Sequence, residues 1–182
     1  MMNHLPAGPT VTAPGSAGAA DRDGAGPAGP ADGDAAAALA LDSQLCFAVY
    51  AAAHAFGRTY RPLLERLGLT YPQYLVMLVL WERDGLTVKA IGERLGLDSG
   101  TLTPLLKRLA AAGVLTRTRD GDDERVVRIT LTEAGRALRA GATGLPATIA
   151  GRLGLDPAGL KRLRREIDGL RAALDATLAA GG

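Results

Sequence analysis

Thiols and imidazoles are scarce in this sequence, which has one cysteine, Cys46, and two histidines among its 182 residues. A single cysteine cannot form an intramolecular disulfide bond, and so few thiolates and imidazoles leave little from which to build a metal site. We therefore expect no metal ion and no other cofactor. A chain without disulfide bonds is also typical of a reducing compartment.

Long apolar runs are absent as well. No stretch approaches the roughly 18 to 20 uninterrupted apolar residues that are needed to cross a bilayer. Residues 1–33 consist mostly of Ala, Gly, Pro and Asp, without the basic start and apolar run of a secretory signal. We expect a soluble, cytoplasmic protein that has no membrane partner.

The N-terminal composition also sets the expected domain boundary. Residues 1–34 offer almost no large apolar side chain, so burial cannot offset the entropy that ordering them would cost. We predict a disordered tail over 1–34 and one folded domain over 35–182. The net charge of +2 and the pI near 8.9 permit a nucleic-acid partner without requiring one, so the placement of charge has to decide.

Apolar residues recur at helical spacing in the first part of the expected domain. They predict a first helix from about Ala35 to about Gly57. Thr70 and Gln73 have the spacing of a capping box, which marks the start of a second helix. The body of that helix, residues 74–81, is almost wholly apolar and is therefore expected to be buried.

Two short helices follow. The first is predicted over residues 87–95, with Gly96 placed to end it, and the second begins after Asp98 or Ser99 and ends near Gly113. Two helices joined by so short a turn form a helix-turn-helix.

Beyond the second short helix the apolar period changes from about 3.6 to about 2. Alternation over residues 114–119 and 125–131, on either side of the polar residues 120–124, predicts a β-hairpin. Thr132 is expected to cap another helix, which ends near residues 141–144 or continues past them.

The last predicted helix begins at Asp156 and Pro157 and carries a long apolar stripe. This stripe has more apolar surface than one small domain easily buries, which favours a homodimer. Its members are Leu160, Leu163, Ile167, Leu170, Leu174 and Leu178.

Residues 95–109 (LGLDSGTLTPLLKRL) resemble the MarR-type winged-helix regulators, as do GVL at 113–115, DDER at 122–125 and LTEAG at 131–135. Pro104, which should kink or delay a helix, belongs to the family pattern. The resemblance covers about residues 41–138, and it reaches residue 178 if the last helix is the family's dimerisation helix. It implies a mainly α fold with a small β-hairpin wing, in which N- and C-terminal helices form the dimer.

Within this family, residues 41–56 resemble the organic-hydroperoxide regulators of the OhrR type. Those regulators carry a reactive cysteine near the start of the first helix and tyrosines that hydrogen-bond its sulfur, and the matching residues here are Cys46, Tyr50, Tyr60 and Tyr71. The resemblance therefore implies a redox sensor. Because the chain lacks a second cysteine, it resembles the one-cysteine type, which needs an external small thiol to complete the oxidation.

The chemistry of these side chains agrees with that role. Tyr50 follows Cys46 by four residues and so shares its helical face. Phenol donors, and a helix start capped by Asp42 or Ser43, would stabilise the thiolate, which is the nucleophile towards a peroxide. Without the tyrosines, a buried Cys46 on an Ala-rich helix would be interpreted as a small core residue.

Residues 99–119 contain four basic side chains and no acidic one, although the whole chain is nearly balanced in charge. A helix with small hydroxyl residues at its start fits the major groove of DNA. At the hairpin tip, Asp123 can orient Arg125 for a narrow minor groove, as the resemblance implies. A solvated helix face and an ordinary turn are the alternative. The expected DNA contacts are Ser99, Thr101, Thr103, Lys107, Arg108, Arg117, Asp123 and Arg125.

We therefore predict a repressor, not an enzyme, that binds double-stranded operator DNA as a homodimer. Oxidation of Cys46 by an organic hydroperoxide, followed by capture with a small thiol, would release the operator. The alternative is a MarR-type repressor released by non-covalent binding of a small aromatic ligand, which does not need Cys46. A thiol peroxidase is disfavoured, because His54 lies about 12 Å along the helix from Cys46.

Overall fold

The computed structural model describes residues 37–121, 123 and 125–181. The chain divides into two units, one ending at Phe47 and the other beginning at Ala48. The predicted tail, residues 1–34, lies outside the described residues, so its boundary with the domain stays a prediction. Across the described part of the chain, no helix is both long and apolar enough to cross a membrane.

The described elements include seven α-helices, three short strands and two 3-10 helices at Leu41–Ser43 and Glu65–Leu67. In chain order the α-helices and strands are α1 (Leu45–Leu64), α2 (Tyr71–Glu82), β1 (Leu86–Thr87), α3 (Val88–Leu95), α4 (Ser99–Ala111), β2 (Leu115–Arg119), β3 (Val127–Leu131), α5 (Glu133–Ala142), α6 (Leu145–Leu153) and α7 (Pro157–Ala180). The predicted fold class, mainly helical with a small β-hairpin wing, is confirmed.

The first helix differs from its predicted bounds at both ends. A 3-10 turn occupies Leu41–Ser43, and α1 then runs through Gly57 to Leu64 instead of ending at the glycine. Glycine costs about 1 kcal/mol relative to alanine inside a helix. Burial of Leu64, which is fully shielded from solvent, offsets that cost and carries the helix onward.

Helix α2 forms the centre of the hydrophobic core. The capping box is present at its start, where the Thr70 amide donates to Oε1 of Gln73 at 2.8 Å. Its body is buried as the apolar run predicts, although Leu78 remains partly exposed. Around it pack buried side chains from α1, α3, α4 and the sheet, among them Leu64, Ile91, Leu102, Leu106, Leu109, Leu115 and Ile129.

Helices α3 and α4 form the predicted helix-turn-helix. Thr87 caps α3 by accepting a hydrogen bond from the Ala90 amide at 3.1 Å, and Gly96 ends it with a left-handed φ of 65°. Helix α4 runs from Ser99 through Pro104 to Ala111, so the proline neither delays nor ends the helix. Proline removes a bond to the carbonyl four residues back, here that of Gly100, and both residues are exposed where water can replace it.

The strands form one antiparallel sheet in the order β1-β3-β2. The predicted hairpin pairs β2 with β3, from Leu115 opposite Leu131 to Arg119 opposite Val127. Strand β1 was not predicted, because two residues are too few to show an alternating pattern. It pairs Leu86 with Ile129 and so joins the end of α2 to the hairpin.

The C-terminal part contains one more helix than the sequence indicated. The helix capped by Thr132 ends at Ala142, and a separate helix, α6, begins at Leu145. Helix α7 starts where predicted, with the Gly159 amide donating to Oδ1 of Asp156 at 2.6 Å. Along α7, the apolar residues left exposed in the single chain are Leu163, Ile167, Leu174 and Leu178.

Candidate nucleic-acid interface and redox site

Helix α4 presents two chemically different faces. One face is buried in the core through Leu102, Leu105, Leu106 and Leu109. The other is exposed and polar, with Ser99 and Thr101 in the first turn and Lys107 and Arg108 further along, while Thr103 is half-buried. The leucines therefore fix the helix on the core and leave the hydroxyl and cationic side chains facing solvent.

The start of α4 is already occupied by a carboxylate. Asp98 accepts from the Thr101 amide at 2.8 Å and from the Thr101 hydroxyl at 3.0 Å. These two hydrogen bonds lower the pKa of Asp98 below its usual value. Because its hydroxyl is already bonded to Asp98, Thr101 is less available to a base or phosphate than the sequence suggested.

The hairpin tip holds the expected acid and base pair. Asp123 Oδ1 accepts from the Arg125 amide at 3.0 Å and from Arg125 Nε at 3.2 Å. The Arg125 side chain is 92% exposed, so the carboxylate orients the guanidinium without covering it. A projecting, oriented arginine at the end of a hairpin has the form that enters a narrow minor groove.

Arg117 is placed differently from the other basic residues. It is half-buried on β2, and its Nε is buried with no hydrogen-bond partner among the described residues. Strand residues alternate between the two faces of a sheet, so Arg117 shares the face of the buried Leu115. It is thus less accessible to a groove than Arg119, which is exposed.

Cys46 is the second residue of α1 and is exposed. The burial assumed for it from the sequence is therefore wrong for the single chain. Asp42 and Ser43, the two expected caps, lie instead in the 3-10 turn that precedes the helix.

The second unit contains a cluster of aromatic rings. The ring centroid of Tyr60 lies 5.0 Å from that of Tyr71, 5.7 Å from that of Tyr74 and 6.5 Å from that of Phe56. Two predicted sensor tyrosines are thus brought together. Tyr50 instead packs its ring against His54, with centroids 4.3 Å apart.

Burial keeps these phenols protonated. Desolvation, together with the neighbouring Tyr74 and Tyr71, raises the pKa of Tyr60 to about 12, and desolvation also raises the pKa of Tyr71 and Tyr74. A protonated phenol can donate a hydrogen bond to an anion. Tyr74 is a member that sequence reasoning missed, although its position three residues after Tyr71 on α2 could have indicated it.

Side chains that could bind a metal ion form no similar cluster among the described residues. Within the described ranges, no group of three or more His, Cys, Asp or Glu side chains is placed to hold a metal ion.

A helix-turn-helix followed by a β-hairpin, with hydroxyl and basic side chains facing outward, defines a winged-helix transcriptional regulator. The family model described as the SarA/Rot transcriptional regulators matches residues 58–140. The chain is 58% identical over 142 residues to the HTH-type transcriptional regulator TtmR of Methylorubrum extorquens (strain PA1), covering 78% of this chain and 71% of TtmR. It is also 52% identical over 113 residues to the organic hydroperoxide resistance transcriptional regulator of Bacillus subtilis (strain 168). That match covers 62% of this chain and 77% of the Bacillus regulator.

Solved structures of winged-helix regulators are also similar to this chain. Reduced AbfR bound to DNA, a protein of Staphylococcus epidermidis, superposes with a TM-score of 0.63 at 36% identity, covering 74% of this chain and 94% of AbfR. Overoxidised AbfR bound to DNA gives a TM-score of 0.61 at 35% identity with the same coverage. The chain belongs to the MarR-type family of winged-helix transcriptional regulators, as a relative of the organic hydroperoxide resistance regulators. These relatives are regulators and not enzymes, as predicted.

Proposed function

We propose that this regulator represses transcription by binding operator DNA as a homodimer, and that oxidation of Cys46 by an organic hydroperoxide releases it. One observation carries the proposal: a chain 52% identical to a hydroperoxide resistance regulator has Tyr60 and Tyr71 in ring contact, 5.0 Å between centroids, with Cys46 as its single thiol.

On DNA, helix α4 lies in the major groove and the hairpin tip reaches the neighbouring minor groove. The exposed residues Ser99, Lys107 and Arg108 face base edges and phosphates, and Arg125, oriented by Asp123, enters the minor groove. This arrangement is supported by the structural similarity to AbfR, whose solved structures include DNA. In a dimer the two α4 helices read half-sites about 34 Å apart.

Dimerisation covers the apolar residues that the single chain leaves exposed. Near Cys46 these include Leu45 and Val49, at 63% and 49% exposed, and on α7 they include Ile167 and Leu174, at 54% and 58%. Burying such side chains gains about 25 cal/mol for each Å² removed from water. Cys46, which is exposed in the single chain, lies next to Leu45, so the second copy would also cover the thiol.

The redox reaction uses two reactants, an organic hydroperoxide and a small thiol. The Cys46 thiolate attacks the outer oxygen of the hydroperoxide, the O–O bond breaks, and the leaving alkoxide takes up a proton to become an alcohol. The resulting sulfenic acid is captured by a small thiol, which gives a mixed disulfide and water. Tyr60 of the same chain lies fourteen residues, about 21 Å, beyond Cys46 on α1, so the phenols that donate to the thiolate before oxidation are Tyr60 and Tyr71 of the second copy. They lose this acceptor when the sulfur is oxidised. The helices then shift and the spacing of the α4 pair is lost.

The test is a DNA-binding assay on the intergenic region beside the protein's own gene. Reduced protein should bind, and one equivalent of cumene hydroperoxide with glutathione should release it, while intact mass shows a mixed disulfide. Peroxide without thiol is a matched control, in which release should be incomplete. Unchanged binding by a fully modified protein would contradict the proposal, and release by an aromatic ligand without any mass change would establish the non-redox alternative.

A further inference from the structure

Arg128 occupies the middle of the three-stranded sheet. It lies opposite Thr87 of β1 and opposite Thr118 of β2 in the strand register. A side chain on the central strand can reach both outer strands, whereas one on an outer strand can reach only its single neighbour. Arg128 is thus placed to fix the whole sheet.

The guanidinium of Arg128 bonds to both sides of the sheet. Its Nη1 donates to the Gly85 carbonyl, just before β1, at 2.8 Å. Its Nε and Nη2 donate to Oδ2 of Asp120, just after β2, at 3.1 and 2.5 Å. The Asp120 side chain is only 16% exposed, so this contact is shielded from solvent more than an ordinary surface ion pair.

A second carboxylate fixes the same sheet to helix α2. Asp84, two residues beyond the end of α2, accepts from the amides of Gly85 and Leu131 through Oδ1, each at 2.8 Å. Its Oδ2 accepts from Arg136 at 3.0 Å, and Arg136 also donates to the Leu131 carbonyl at 2.9 Å. The base of the hairpin is therefore held to the core at Asp84.

These contacts lie between the core and the hairpin tip. Asp120 leads directly into the tip, and its amide donates to the Val126 carbonyl at 2.9 Å, which closes the hairpin below Asp123 and Arg125. A two-stranded hairpin twists easily when it lacks further support. A guanidinium that joins the turn to the opposite edge of the sheet limits that twist.

We propose that Asp120 and Arg128 are positioning residues of the wing, which hold the hairpin at the angle from which Arg125 reaches DNA. The inference rests on the proposed role of the wing in operator binding. It assigns Arg128 no contact with DNA of its own, although Arg128 is a partly exposed cation on a DNA-binding domain. A phosphate contact made by Arg128 is therefore the competing account.

Asp120→Asn separates the two accounts because they predict different changes in operator affinity. If Arg128 positions the wing, removing its charged partner should lower operator affinity about fivefold, as expected for one partly shielded ion pair. If Arg128 binds a phosphate, the substitution frees the arginine and removes a negative charge near DNA, so affinity should stay equal or rise. Affinity is measured at several salt concentrations, with circular dichroism and dimer mass as controls, and equal or raised affinity would overturn the proposal.

Arg128→Lys supplies a second test that keeps the charge. Lysine also binds phosphate, but its single head lacks the fork that joins Gly85 and Asp120. We expect a loss similar to that of Asp120→Asn, with the salt dependence unchanged. In an Arg125→Ala background the loss should shrink, because the positioned group is already gone.

The outcomes distinguish this inference from the proposed function. If Arg125→Ala weakens operator binding but Asp120→Asn and Arg128→Lys do not, or if the losses simply add, the positioning role is rejected and the wing contact stands. If Arg125→Ala leaves affinity unchanged at fixed salt, the wing contact itself is rejected and the positioning role is rejected with it.

Discussion

Single residues on α4 differ in what they can contribute to DNA binding. Leu102 and Leu106 are fully buried and so serve the core, whereas Lys107 and Arg108, which directly follow Leu106, face solvent. Lysine binds phosphate as a flexible point charge and reads no sequence by that contact. Lys107 should therefore contribute affinity without specificity.

Replacing Lys107 with alanine tests this assignment. The slope of log K against log salt concentration should become shallower by roughly 0.9 for each Lys107 removed, since one fewer phosphate is neutralised. Lys161→Ala, at an exposed position on α7, is the matched control and should leave the slope unchanged. Equal slopes for wild type and Lys107→Ala would show that this lysine does not contact the backbone.

Tyr60 makes stability depend on alkaline pH. Its pKa is about 12 in the folded chain against 10.0 for the free side chain, so the folded state binds the proton more tightly between those values. Stability is then fully present below pH 10 and falls as the pH rises towards 12. Tyr60→Phe should lose less stability between pH 9 and 11 than wild type in denaturant unfolding. Equal losses for Tyr60→Phe and wild type would contradict this.

At the scale of elements, strong local signals predicted structure well. The capping box at Thr70, the glycine at Gly96 and the carboxylate at Asp156 each mark a helix boundary that the structure reproduces. Each signal acts through its own neighbouring amides or its own φ, so it does not depend on distant contacts.

Elements set by distant contacts were predicted less well. Helix α1 passes Gly57 because Leu64 is buried in the core, and β1 exists because Leu86 pairs with Ile129 more than forty residues later. The site shows the same division. The Asp123 and Arg125 pair is local and was predicted, whereas the half-burial of Arg117 and the exposure of Cys46 depend on packing that no local pattern records.

The junction between the sheet and α5 depends on a glycine. A Cβ on Gly135 would lie 1.9 Å from the Val114 carbonyl oxygen, and the Gly135 carbonyl also accepts from Nε1 of Trp81 at 2.9 Å. Gly135→Ala should therefore destabilise the fold by roughly 1 to 3 kcal/mol, as overpacking does. Gly151→Ala in α6 is the matched control, because a Cβ there meets nothing within 4 Å. Denaturant unfolding measures both, and equal stability for the two variants would exclude the close contact.

At the scale of the whole molecule, we propose that a second copy covers the exposed stripe on α7. Ile167→Asp with Leu174→Asp should yield monomers at micromolar concentration and abolish operator binding, because each aspartate would be buried unpaired in the interface. Arg165→Asp, on the opposite face of the helix, should remain dimeric. Light scattering or analytical ultracentrifugation gives the mass, and a dimeric double variant would place the interface elsewhere.

The central claim is that one thiol converts a peroxide signal into release of DNA. The most direct test compares operator binding by wild type and by Cys46→Ser, before and after stoichiometric cumene hydroperoxide with glutathione. Serine is nearly isosteric but stays protonated near neutral pH, so it cannot attack the peroxide. We predict that both proteins bind when reduced and that only wild type is released, with a mixed disulfide in its intact mass. Release of Cys46→Ser as readily as wild type would contradict the redox mechanism.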